Sequence, residues 1–301
     1  MKNTLLLAFF VALIPFVSSA QITLNYNLDE LTKYNSKIIV EQGIAQTVMG
    51  QTQNNQNDQG YGITLTLASS NTDSYTLNMV YNSIMINSPM AGLTYDSEKA
   101  TSEPTGALKA VASIVGTELN FELNKYGLVN NVSGVDAMLD SMAKNMGLTD
   151  SLVTSAFKTQ MEGQYNAESI KSQMKKTLII YPDKELNKGD KWSADESVSV
   201  PFSMNIQTTY ELADYDENTA TINVSSDIFT DGGSMTVNGA TMTPDLTGVQ
   251  SGTIIVDRKT GLVLSTETEQ LITGAMNMTS PSEMEIPIEI SGSSTTKGSI
   301  E

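Results

Sequence analysis

Apolar residues recur at every second position through most of this chain, and the pattern breaks only once. Ile22, Leu24, Tyr26 and Leu28 alternate with Thr23, Asn25 and Asn27. Leu31 to Glu41 continues with Ile38, Ile39 and Val40. The same period returns in Ile63, Leu65 and Leu67, in Tyr75, Leu77, Met79 and Tyr81, and in Leu119, Phe121 and Leu123. A period of two puts one set of side chains on one face of a strand, so such a chain must build sheet with a buried face. Between these runs, the polar stretch 51–60 reads as a long hairpin tip and 94–106, which carries Pro104, as a loop. Residues 111–116 read as a further strand.

The break comes at Ser133. Met138, Leu139, Met142 and Met146 recur at helical spacing, with Gly147 placed to stop the helix. Thr149 or Asp150 can cap a second helix carrying Leu152, Val153, Ala156, Phe157 and Met161. Asn166 can cap a third, with Ile170 and Met174. Three short helices make too small a core alone, so they are expected to cover a sheet.

Alternation then resumes. Residues 198–212 read as one long strand, bent near Pro201. Ala220, Ile222 and Val224 follow, then a long hairpin over 252–272, then Ile286, Ile288 and Ile290. Between helices and returning strands lies the polar connector 181–192. Pro182 excludes helix interior and central strand there. Gly189-Asp190 is a turn, and Trp192, the single tryptophan, is expected to pin the connector's far end to a core. Lys-x-Gly-Leu-Val occurs at 125–129 and again at 259–263, each time as a hairpin turn. Convergent turn chemistry and a diverged duplication both account for it.

The organisation expected is therefore a leader over 1–20, an N-terminal β half over 21–132, a helical segment over 133–176, and a connector with a C-terminal β half over 177–301. The leader reading rests on Lys2, an apolar run from Leu5 to Val17, and Ser18-Ser19-Ala20 as a small-residue cleavage site. At that length the run spans a bilayer poorly, so a soluble, exported mature chain with no transmembrane segment is expected, periplasmic or extracellular. No cysteine is present, so an exported chain must rely on its core rather than on disulfides. The formal charge is −17 with a single arginine, Arg258. That balance argues against nucleic acid and anionic lipid surfaces as partners.

The chain also lacks histidine. Without His and Cys, Ser-His-Asp and Cys-His catalysis and ordinary zinc, haem and iron–sulfur ligation are all removed. Ser155-x-x-Lys158 and Lys259-Thr-Gly261 resemble motifs of serine acyl-transferases. Ser-x-x-Lys recurs at Ser172–Lys175 and Ser294–Lys297, however, and the Ser-Asp-Asn element is missing. The acidic groups Asp214, Asp216 and Glu217, Glu267 and Glu269, and Glu283, Glu285 and Glu289 read as solvated faces, since a glycosidase needs aromatics that stack sugar. Asp227 to Gly233 lacks EF-hand spacing. No catalytic, cofactor or metal residue is assigned, and a non-enzyme is expected. The 16 methionines carry the remaining signal. Met138, Met142, Met146, Phe157, Met161 and Met174 share the inner face of the helical layer. They are either plain core or the wall of an apolar cavity, because Met suits both.

Pro182, Lys184, Gly189, Asp190 and Trp192 form a mid-chain motif similar to one in a family of uncharacterised secreted β-rich proteins common in Bacteroidota. The family has no established activity to carry over. Its layout implies curved antiparallel sheets with covering helices, similar at fold level to the half-barrel of periplasmic lipoprotein carriers of the LolA type. The fold class expected is thus mainly β (α+β): curved antiparallel sheets or a half-barrel in two related halves, with a three-helix segment packed on the sheet. The function expected is binding of an apolar small molecule or lipid between helices and sheet. The alternative is a structural module of the cell envelope with a protein or glycan partner.

Overall fold

The computed structural model describes residues 21–163, 165–175, 178–198, 203–237, 240–280 and 283–301. The leader at 1–20 and Pro201 lie outside them. The N-terminal strands are β1 (Tyr34–Val48), β2 (Gln51–Gln56), β3 (Asp58–Ser70), β4 (Ser74–Ser88), β5 (Leu93–Asp96), β6 (Glu118–Asn124) and β7 (Val129–Ser133). The C-terminal strands are β8 (Lys191–Val198), β9 (Met204–Tyr215), β10 (Thr219–Thr230), β11 (Met235–Val237), β12 (Ala240–Asp257), β13 (Val263–Ser280) and β14 (Met284–Ile300). Among the described residues, a 3-10 turn at Pro89–Ala91 and four α-helices complete the fold: α1 (Ala107–Ala112), α2 (Val135–Asn145), α3 (Ser151–Glu162) and α4 (Ala167–Lys175).

All strands join one 14-stranded sheet, with the path β7-β6-β4-β3-β1-β14-β13-β12-β10-β9-β8. In each half, a Lys-x-Gly-Leu-Val turn joins neighbouring strands of a meander, β6 to β7 and β12 to β13. The last strand, β14, pairs antiparallel with β13 on one side and β1 on the other, so it zips the two halves edge to edge. The expectation of curved sheets or a half-barrel is corrected here. The fold is mainly β with a packed helical segment, but its sheet is open, neither closed nor strongly curled, with β7 and β8 as separate edges. Closure requires the two edges to pair. Instead α4 packs along β7 and α2 against β6, so the helices cap one end of the strand order rather than filling a concave centre.

Local chemistry explains the helix boundaries. Asp150 Oδ1 accepts from the amides of Leu152 and Val153 at 2.9 and 3.0 Å, which starts α3. Asn166 Oδ1 accepts from Ser169 N at 2.8 Å and starts α4. Met138, Leu139 and Met142 of α2 are buried, whereas α3 commits only Phe157 fully. Leu152 and Val153, expected on the buried face, are 80% and 52% exposed.

Five local expectations change, the first being that Leu93–Asp96 form β5 and so enter the stretch 94–106 expected as a loop. Residues 51–56 form β2 rather than a hairpin tip, because the turn sits earlier, at Met49 and Gly50, both at positive φ. Residues 111–116, expected as a strand, are instead the end of α1 and the turn that follows it. Residues 198–212 are not one bent strand: Val198 ends β8, and β9 starts at Met204 and pairs antiparallel with it. The segment 22–28 alternates as expected but joins no ladder beyond one bridge, Ile22 to Leu186. It is a strap across the strand ends. Ile22, Leu24, Tyr26 and Leu28 are all buried, each contributing about 1.5–3 kcal/mol by area.

The strap and the connector lock both Lys-x-Gly-Leu-Val turns. Tyr26 N donates to Lys125 O at 2.8 Å, and Asn27 N to Thr260 O at 3.1 Å. Tyr181 N donates to Tyr126 O at 2.9 Å while its hydroxyl donates to Gly261 O at 2.8 Å. The two tyrosine rings lie 5.2 Å apart. Gly127 (φ 97°) and Gly261 (φ 74°) make the turns possible. A Cβ on the first would collide with the Ile179 carbonyl, and on the second with the Asn25 carbonyl.

Candidate functional site

The residues singled out on the helices lie in the main core. Met138, Met142, Phe157 and Met174 are buried there, and Met146 and Met161 pack against it half-buried. The connector anchors dock as a unit. Gly189, at φ 90°, donates its amide to Leu212 O at 2.7 Å. The Asp190 carboxylate accepts from Asn187 N at 2.8 Å. The Trp192 indole donates to Ile180 O at 2.8 Å and stacks on Tyr210 at 5.4 Å. These three positions hold the connector against β9.

Several of the charged groups are engaged with one another. Lys158 bonds Asp140 at 2.7 Å and Lys259 bonds Glu30 at 2.7 Å. Asp214 holds Lys188 at 2.9 Å, which with the adjoining amide of Tyr215 lowers its pKa. Asp216 accepts from the amides of Asn218 and Thr219 within its turn, and these bonds lower its pKa. Among the described residues, no three or more Asp and Glu side chains gather to hold a metal ion. A cleft of about 330 Å³ opens over β1, β3, β4 and β5. Its charges are also spent internally: Lys37 on Glu98, Lys99 on Asp96 at 2.8 Å, and Asn87 on Asp58 at 2.9 Å.

A different surface stands out, and only the strand register reveals it. Directly paired residues share a face. On the face that carries the main core, Thr208, Ser226, Gln250, Gln270, Gly292 and Gln42 align in one row across six strands. The Thr208 and Ser226 hydroxyls lie 2.9 Å apart within the row, and Gln250 donates to Thr268 of the neighbouring row at 3.2 Å. This polar belt interrupts the core. Beyond it the same face turns apolar again. Ile206, Ile228, Gly248, Ile272, Ile290 and Ile44 form the next row on that face. Met204, Leu246 and Ile288 lie one row further, followed by Pro244, Met276 and Ile286. Ile228, Leu246 and Ile272 are the buried centre of this second cluster, and Met204, Ile206, Ile288 and Ile290 surround it half-buried. The principal contacts of the helices are with β5, β6 and β7, away from these strands. Periodicity alone placed Ile286, Ile288 and Ile290 on one face. It could not show that Ile290 continues a row of isoleucines from β9, β10, β13 and β1.

The family of unknown function DUF6263 matches residues 72–263, more than half of the chain. The chain belongs to DUF6263. The DUF6263 span contains the helical segment, the connector with Trp192, and both Lys-x-Gly-Leu-Val turns. A search of the curated proteins returns no match. Among solved structures, one of lipovitellin, described for its lipid–protein interactions, aligns at 11% identity and TM-score 0.42. The alignment covers 93% of this chain and 25% of that one, so the DUF6263 chain spans about a quarter of the lipovitellin chain. OccK8 (OprE) of Pseudomonas aeruginosa aligns at 7% identity and TM-score 0.16, over 92% of this chain and 99% of that one. Both scores are too low to carry an argument about fold or function. No helix among the described residues is long and apolar enough to cross a membrane.

Proposed function

We propose that this protein is an exported, non-enzymatic binding protein for an apolar or amphiphilic, lipid-like small molecule, seated on the sheet face beyond the polar belt. One observation carries the reading. The isoleucine row over β9, β10, β12, β13, β14 and β1 continues the core face past the point where the helices cover it. Ile44, Ile206, Ile288, Ile290 and Met204 on that face are half-buried and leave apolar surface beside water, which favours any apolar molecule that covers it, by about 25 cal/mol per Å² removed from water. The adjoining glutamines, Gln250, Gln270 and Gln42, offer both donors and acceptors to a polar headgroup. Methionines at the far margin adapt to irregular chains. Export rests on the Lys2, Leu5–Val17 and Ser18-Ser19-Ala20 pattern.

Organic extraction of the purified protein followed by mass spectrometry is the direct test, with return of a fluorescent fatty acid to the extracted protein as its second arm. Ile288→Gln with Ile290→Gln should weaken that probe at least tenfold and leave the thermal midpoint nearly unchanged, since both side chains are half-buried. A protein that emerges empty and ignores the probe would sink the reading and favour an envelope interaction module.

A further inference from the structure

We propose that the far ends of β11, β12, β13 and β14 form a soft-cation site that takes one Cu(I), or its analogue Ag(I), through methionine thioethers. Register brings the ligands together. Met235 pairs with Met242, Met242 with Met278, and Met278 with Met284. Four methionines therefore stand in one row, on one face, over four successive strands. Directly opposed residues have Cβ atoms about 4.5–5.5 Å apart. Met has three rotatable bonds beyond the backbone, enough to bring three sulfurs from such a row onto one ion. All four side chains are half-buried, so they are held by neighbours yet reachable from solvent. Met276, buried one row below, backs them. An open hollow of about 370 Å³ adjoins the row, with Met278 and Met284 in its wall.

The chemistry selects the ion. Thioethers are soft donors that favour Cu(I) over zinc, calcium or magnesium. The chain has no cysteine or histidine, so no stronger soft ligand competes elsewhere. The electrostatics have the right sign. Residues 227–250 and 271–296 contain no lysine or arginine, while Glu283 and Glu285 line the same hollow as Met278 and Met284. Ordinary packing explains one or two methionines at a sheet margin. It does not call for the same residue on every strand, since leucine or isoleucine would fill the space with less flexibility.

Ag(I) titration of the full chain by calorimetry in chloride-free buffer tests this, with anaerobic Cu(I) competition as a second measurement. Saturable uptake of about one ion per chain is expected, with an all-sulfur shell by X-ray absorption. Met242→Leu with Met278→Leu should lower affinity at least tenfold, and Met90→Leu should leave it unchanged. The leucines conserve volume and apolarity, so the fatty-acid probe should still bind the double variant, and the two readings fail separately. No saturable uptake, uptake indifferent to the double substitution, or an oxygen shell would each overturn the assignment.

Discussion

Tyr26 shows how much one side chain settles in this protein. Its ring is buried in the strap, its amide holds one repeated turn, and its hydroxyl accepts from Ile179 N at 3.1 Å. Tyr26→Phe would keep the packing and orphan that buried amide, for a loss of about 1–3 kcal/mol in urea unfolding. Burial also pushes the phenols of Tyr26 and Tyr181 well above their ordinary value of 10.0. The folded state then keeps protons that the unfolded chain releases. Their contribution is whole below about pH 10 and is lost as pH rises above it. Unfolding free energy measured from pH 8 to 11.5 should fall steeply at the basic end, and less steeply in Tyr26→Phe. The turn glycines are as demanding. Gly261→Ala combines the left-handed penalty of roughly 1–2 kcal/mol with displacement of the Asn25 carbonyl. It should cost at least about 2 kcal/mol. Gly50→Ala, with nothing near its Cβ, carries the backbone penalty alone.

Among the elements, α4 has the largest consequence for its size. It lies along β7, one edge of the sheet, and buries Ile170 and Met174. An uncovered edge is an invitation to pair with another chain. Ile170→Ala should lower stability by about 2–5 kcal/mol and speed amide exchange in β7 before the rest of the sheet. Leu152→Ser in α3, at a side chain 80% exposed, should change neither. The caps of α3 and α4 were readable from Asp150 and Asn166, because a cap is a contact between near neighbours. The burial of α3 was not. Its apolar stripe includes Leu152 and Val153, but α3 rests on α2 rather than on the sheet, so half the stripe stays wet.

In the molecule as a whole, a single core cluster draws Leu77 and Leu119 from one half and Ile222 and Val256 from the other. The strap crosses between the turns of both halves, and β14 ties their ladders together. Unfolding should therefore be one cooperative event, with calorimetric and van't Hoff enthalpies equal. Two separated heat-capacity peaks would contradict it. The strap was misread as a strand for an instructive reason. Alternation reports which side chains are buried, and Ile22 to Leu28 are buried alternately, but their backbone partners are turn carbonyls and Leu186 rather than a ladder.

Local pattern in the amino-acid order was enough for the mainly β class, the helical break, the caps, the paired turns and the docking of Trp192, since each rests on periodicity or on neighbours a few residues apart. The open sheet in place of a half-barrel depended on which strand β14 chose to join, a pairing between residues hundreds of positions apart. The isoleucine row and the methionine ladder have the same origin. Each strand carries only one or two of their members, and register alone sets them side by side.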